Sequence, residues 1–338
     1  MLCTPLCRTL GIRDPIFSAG IGAAAGPELA AAVSNAGGLG VLGTASLPAR
    51  FVRVQIARFR ELSDRPFGVN VVLPLLRRGT IETCLEEQVP VLVLFWGGVE
   101  ELTSIIADAH RQNTRVFVQV GSREEALVAV EAGADGVIAQ GWEAGGHVRG
   151  TTALSVLVPT VADAIAPVPV VAAGGVADGR TLLAALCLGA QAVSMGTRFL
   201  ASKEANADLG YKQRVVSANA EDTVHTELFD RGWERASHRV LRNEVVRAWE
   251  LAGRPNPGAR PQEGEILGTM SSGGTTVSIP AYSAYLPEPG VSASLDGMAL
   301  YAGQSCSLVN DIKPAAQIVG DLMRDAEVML RHLQVGAA

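Results

Sequence analysis

One recurrence constrains this chain more than any other feature. Roughly every 25 residues a short apolar, β-branched run appears, then a Gly- or Pro-marked turn, then a longer stretch of helical periodicity. The runs are Ile16-Phe17-Ser18, Leu39 to Leu42, Phe67 to Val72, Val91 to Phe95, Val116 to Val120, Gly136 to Gln140, Val168 to Ala172 and Ala192 to Met195. A strand, a helix and two short loops need about that length, and eight such units close a TM-type (β/α)8 barrel. Wholly apolar runs such as Val91-Leu92-Val93-Leu94-Phe95 suit a parallel sheet covered on both faces. A doubly wound open sheet is the rival arrangement.

Composition narrows the partners. With 48% hydrophobic and 18% charged residues over 338 positions, the chain is not disordered and has room for a barrel plus an insertion. Twenty-eight basic against 34 acidic residues, net −6, argues against nucleic acid as a partner. No apolar run reaches membrane-spanning length, and Met1 to Asp14 lacks the layout of a signal peptide, so a cytoplasmic protein without a membrane partner is expected. Five scattered cysteines read as reduced thiols. Dispersed histidines give no metal site.

After about Lys212 the βα rhythm stops. Residues 213 to 250 read as helical, Gly253 to Gly290 is rich in Pro, Gly, Ser and Thr (Arg254-Pro255-Asn256-Pro257, Ser271-Ser272-Gly273-Gly274), and Lys313 to Leu333 reads as a last amphipathic helix. The expected organisation is a barrel over 1–212, a smaller, mainly helical domain over 213–304, and a segment over 305–338 that completes the barrel. All four tyrosines (Tyr211, Tyr282, Tyr285, Tyr301) fall in or beside the second region. They suit a lid over the barrel mouth, or the packing of the small domain itself.

Several chemistries are excluded by residues that are missing or misplaced. Gly20-Ile21-Gly22 with Gly26 lacks the acidic residue a Rossmann site needs on the next strand, and none of the three lysines follows a glycine or ends a proposed strand. No Gly-x-Ser-x-Gly elbow occurs. A phosphate signal lies late in the barrel, where Ala173-Gly174-Gly175-Val176 and Met195-Gly196-Thr197-Arg198-Phe199 follow the seventh and eighth runs. Glycine N–H groups at those two loops converge on an anion in many barrels. Asn70 ends the third run's Phe67-Gly68-Val69-Asn70. After the sixth run, Gln140-Gly141-Trp142-Glu143-Ala144-Gly145-Gly146-His147 sets a titratable imidazole on the same rim.

Together with Tyr301-Ala302-Gly303-Gln304-Ser305, these strings resemble the nitronate monooxygenase family, formerly called 2-nitropropane dioxygenases, and the Glu-Ala-Gly-Gly-His block is the most specific part. The resemblance spans nearly the whole chain. It implies an FMN-binding TIM barrel with a smaller inserted domain, a flavoprotein oxidoreductase that converts alkyl nitronates with O2 to a carbonyl compound and nitrite. Because the family also holds NAD(P)H-dependent flavin reductases of quinones and enoyl thioesters, that reaction is the alternative. Carried over, the resemblance makes His147 the active-site base, or an imidazolium paired with the nitronate. It gives Gly174, Gly175, Gly196 and Thr197 to the FMN phosphate, and Asn70 and Gln140 to polar atoms of the flavin. Gly20 and Gly145 permit close backbone approach, Gly146, Met195 and Gln304 complete the cofactor site, and Tyr301 meets the substrate. Gln119, on the fifth run, joins the cofactor site, at a position where several relatives have a basic or hydroxyl residue. A homodimer is compatible with this reading.

Overall fold

The computed structural model describes residues 2–272 and 275–335; Gly273 and Gly274 of the Ser271-Ser272-Gly273-Gly274 string lie outside them. Eight parallel strands form the barrel: β1 (Ile16–Ser18), β2 (Gly40–Gly43), β3 (Phe67–Val72), β4 (Val91–Phe95), β5 (Arg115–Val120), β6 (Gly136–Gln140), β8 (Val170–Ala173) and β9 (Ala192–Met195). A two-residue strand, β7 (Gly146–His147), interrupts the count after β6. The order β1-β9-β8-β6-β5-β4-β3-β2 is closed by a bridge between Phe17 and Leu39, where Ser18 N–H donates to Leu39 O and Leu39 N–H to Ile16 O. The barrel replaces the open sheet the rhythm also allowed. Its strands match the eight apolar runs with shifts of one or two residues.

Alternation along each strand separates two apolar layers. Val69, Val71, Leu92, Leu94, Val118, Ala139, Val193 and Met195 face the surrounding helices. Phe17, Val93, Phe117, Ile138, Val171 and Ala192 fill the barrel interior, whose lower end is plugged by Leu6, Cys7 and Leu10 of the helix Pro5–Leu10. That plug fills the lower end of the barrel interior, so the inward residues at the C-terminal ends of the strands line its other mouth. The helix Ala315–Val335 returns to pack against the helices Gly179–Cys187 and Pro27–Asn35, closing the outer ring.

The region 213–304 differs from the helical expectation. It is built mainly on antiparallel pairs, β10 (Thr223–Thr226) with β11 (His238–Leu241) and β12 (Ile266–Ser272) with β13 (Thr275–Pro280). Among the described residues, the α-helix that lies wholly within it is Glu244–Leu251. Val240, Leu241, Val245, Val246 and Trp249 do fall at helix-like spacings, but Asn243 breaks the run by accepting the Val246 N–H as an N-cap. Before that cap, the last turn of the helix Leu209–Val216 and the short 3-10 turn Ala220–Asp222 are helical, and the rest is strand, turn or loop. β11 also pairs with β7, His238 opposite His147, so the insertion is stitched to the loop that follows β6.

Candidate active site

The strand alternation decides which predicted residues point into the barrel mouth. Val69 and Val71 face outward, so Asn70 faces in; the same argument turns Gln119, Gln140 and Ser194 inward. Met195 is corrected by that rule. Its side chain is buried in the helix-facing layer, and Ser194 is the residue of β9 that faces the interior.

Gly174 and Gly175 adopt φ of 95° and 71°, left-handed backbone that favours glycine. Register places Ala173 opposite Ser194, which sets the Gly174-Gly175 turn beside Gly196. Among the described residues, Gly174, Gly175, Val176 and Gly196 donate no N–H to the turns and loops around them. Such unengaged donors on two adjacent loops fit a phosphate monoester, and the inward Asn70, Gln119 and Gln140 fit the polar rim of an isoalloxazine. The residues present therefore suit FMN.

Some expected contacts are committed within the chain. Gln140 Nε2 donates to His147 O at 2.9 Å, leaving its Oε1 for a ligand. Thr197 Oγ1 accepts the Gly303 N–H at 2.9 Å, and Gln304 N–H donates to Glu143 O at 2.9 Å, so both help return the chain to the barrel. A side chain at Gly145 would collide with the backbone of Ala302 and Gly303. Gly145 is thus required for the close crossing of the 302–303 backbone. Gly20 packs against the Asn70 side chain with the same lack of room, whereas Gly146, φ 71°, has open space where its Cβ would be. Glu143, the head of the most specific string, accepts the Leu154 N–H at the start of the next helix. Arg239 of β11 holds the same block by donating to Ala144 O and Trp142 O.

His147 lies under an aromatic cover. Its ring stacks on Trp233 (4.1 Å between centroids) and meets His238 (5.4 Å), Tyr301 (5.5 Å) and Trp96 (6.1 Å). Its Nε2 is buried without a partner, as is Trp96 Nε1. Burial pushes the His147 imidazole down to about 3, with a smaller push from His238, so it is neutral at ordinary pH. His238 is itself held down to about 4 by burial; its Nδ1 lies 2.8 Å from Ala236 O, and its Nε2 accepts the Phe229 N–H. The Tyr301 hydroxyl donates to Ala284 O at 3.1 Å, so its ring and not its tip faces the site.

Sequence reasoning missed Trp96, Trp233 and His238. Trp96 was within reach, because it follows the fourth run at the barrel's catalytic face, the criterion that found Asn70 and His147. The other two come from the insertion, whose pairing to β7 no local pattern announces. Beyond Trp233 lies an open basin of about 1110 Å³, lined by Asp230, Arg231, Gly232, Glu234 and Arg235 from the same loop.

The nitronate monooxygenase family model matches residues 4–91 and 77–325. A Mycobacterium tuberculosis protein, (3aS,4S,5R,7aS)-5-hydroxy-7a-methyl-1-oxo-octahydro-1H-indene-4-carboxyl-CoA dehydrogenase, is 32% identical over all of this chain and 99% of its own length. A probable nitronate monooxygenase of Staphylococcus aureus is 33% identical over 66% of this chain and 75% of its own. FabK from Thermotoga maritima superposes with a TM-score of 0.82 at 33% identity, covering 98% of both chains. The nitroalkane oxidase of Streptomyces ansochromogenes gives 0.75 at 27%, covering 97% of this chain and 99% of that one. The chain is an oxidoreductase and belongs to the nitronate monooxygenase family.

Proposed function

We propose that this protein is an FMN-dependent oxidoreductase that interconverts an acyl thioester and its α,β-unsaturated form. The uncharged wall around His147 carries this reading. A nitronate enters as an anion, yet the rings that surround the imidazole are two indoles, a phenol with its hydroxyl committed, and a histidine held neutral. Bringing an anion into such a wall without a counter-charge is costly, whereas a thioester enters neutral. The full-length similarity to a carboxyl-CoA dehydrogenase supports the same choice.

When bound, FMN supplies the two-electron exchange at the substrate carbon. Gly174, Gly175 and Gly196 would hold its phosphate through backbone N–H groups, and Asn70, whose Nδ2 donates to Val93 O, Gln119 and the free Oε1 of Gln140 would orient its polar edge. His147, neutral and unpartnered at Nε2, takes the α-proton in the oxidising direction and returns it in the reducing one. Tyr301 and, until substrate displaces it, Trp233 keep water from that proton.

The second reading, O2-dependent oxidation of alkyl nitronates, is favoured by the Streptomyces nitroalkane oxidase, which matches nearly end to end. Anaerobic reduction of FMN-loaded protein separates the two. Bleaching by butyryl-CoA, or by NADH or NADPH with colour returning on crotonyl-CoA, supports the thioester reading. Bleaching by propyl-2-nitronate alone establishes the other. Protein that stays colourless and gains no stability from added FMN removes both.

A further inference from the structure

Trp96 combines three features that packing alone does not require. It stands immediately after β4, at the open end of the barrel, in the sequence Phe95-Trp96-Gly97-Gly98. Its φ of 58° is left-handed backbone, unfavourable for a bulky side chain and most often retained where function over-determines it. Its indole Nε1 is buried and has no acceptor. An indole N–H only donates, so an orphan of this kind marks a place where an oxygen acceptor is missing.

The position of the missing acceptor follows from the rings. Trp233 touches both orphan nitrogens' rings, lying 4.6 Å from Trp96 and 4.1 Å from His147 between centroids. Trp96 and His147 are themselves 6.1 Å apart. A substrate that displaces the Trp233 indole would lie between the ring that carries the orphan donor and the ring that carries the orphan acceptor. Gly232, φ 103°, has nothing near its missing side chain, and the neighbouring residues of that loop already border the basin into which Trp233 would move.

We propose that Trp96 Nε1–H is the substrate-oxygen donor of this enzyme: it binds the carbonyl oxygen of the thioester and stabilises the negative charge that develops there while His147 holds the α-proton. The inference rests on His147 marking the substrate site, and it deepens the thioester reading by naming what polarises the carbonyl. A donor aimed where charge develops acts mainly on turnover and little on ground-state binding of the long substrate.

The test separates the donor from the reaction. In oxidised, FMN-loaded protein labelled with 15N at the indoles, the Trp96 Nε1–H resonance is assigned by its loss in Trp96→Phe and followed while 2-cyclohexen-1-one, a neutral enone, is added. A downfield shift of that resonance is expected, with roughly tenfold weaker enone binding in Trp96→Phe. In turnover of crotonyl-CoA, Trp96→Phe should lower kcat by about 10²-fold with KM within a few-fold. Trp96→His, which restores an N–H donor, should recover part of kcat. An unmoved resonance, or equal enone affinity in the two proteins, overturns the proposal. If Trp96→Phe does not fold, specific indole assignment in the wild type still decides through the shift. A wild type that binds the enone with the shift but ignores crotonyl-CoA sinks the thioester reading and leaves the donor standing.

Discussion

At His147 the protein keeps a titratable ring neutral by burying it. Because its folded pKa, about 3, lies below the ordinary 6.5, the unfolded chain binds a proton that the native ring refuses. Its contribution to stability is whole above pH 6.5 and is lost as pH falls toward 3. With His238 behaving alike, melting temperature should drop steeply between pH 6.5 and 4, a loss of roughly 2–4 kcal/mol per ring. His147→Asn should flatten part of that slope and abolish proton exchange with solvent at the α-carbon of a bound thioester. Melting curves across pH and deuterium incorporation check the two halves. Tyr301 carries a smaller expectation. Its hydroxyl is committed to Ala284 O, so Tyr301→Phe should cost about 1 kcal/mol in a urea titration and leave kcat within a few-fold.

Among elements, the loop from Asp230 to Arg235 and the block Glu143 to His147 bear most of the site's construction. Trp233 stacks on the His147 ring, so Trp233→Ala, which opens that face to water, should raise the His147 pKa, read by NMR titration. An unchanged pKa would show that the barrel rim alone desolvates the ring. Gly145→Ala should destabilise by about 3 kcal/mol, since the new methyl meets the backbone of Ala302 and Gly303 instead of a yielding side chain. The eight barrel strands were legible because each is an apolar run between turn residues. β10 and β11 were not, because Val240 to Trp249 mimics helical spacing and only the Asn243 cap reveals where the helix begins.

Over the whole molecule, barrel and insertion meet where β11 pairs with β7, at the barrel end proposed to hold FMN, so binding there should feed into global stability. FMN at about 100 times its Kd should add about 2.7 kcal/mol and raise Tm accordingly. Gly175→Val, which forces a β-branched residue to φ 71°, should remove most of that gain while leaving the apo Tm within a few degrees. Differential scanning fluorimetry with and without FMN measures both. No helix of the described residues is long and apolar enough to cross a membrane.

The sequence by itself determined the barrel and pointed to the paired glycines and His147 as candidates, since each rests on residues close together in the chain: apolar periodicity, a Gly-Gly turn, an imidazole on the loop after a strand. Gly174 and Gly175 could be found because a left-handed turn needs them locally. Tertiary structure alone decided how those residues are surrounded. Whether the Met195 side chain faced the barrel mouth or the helices depended on the phase of β9 in the closed sheet, and the lack of room at Gly145 depended on Gly303, far along the sequence. The protonation state of His147 likewise depends on Trp233 and His238, brought over it by the pairing of β11 with β7. Desolvation is a property of neighbours in space, and those neighbours are set by the fold, not by adjacency in the chain.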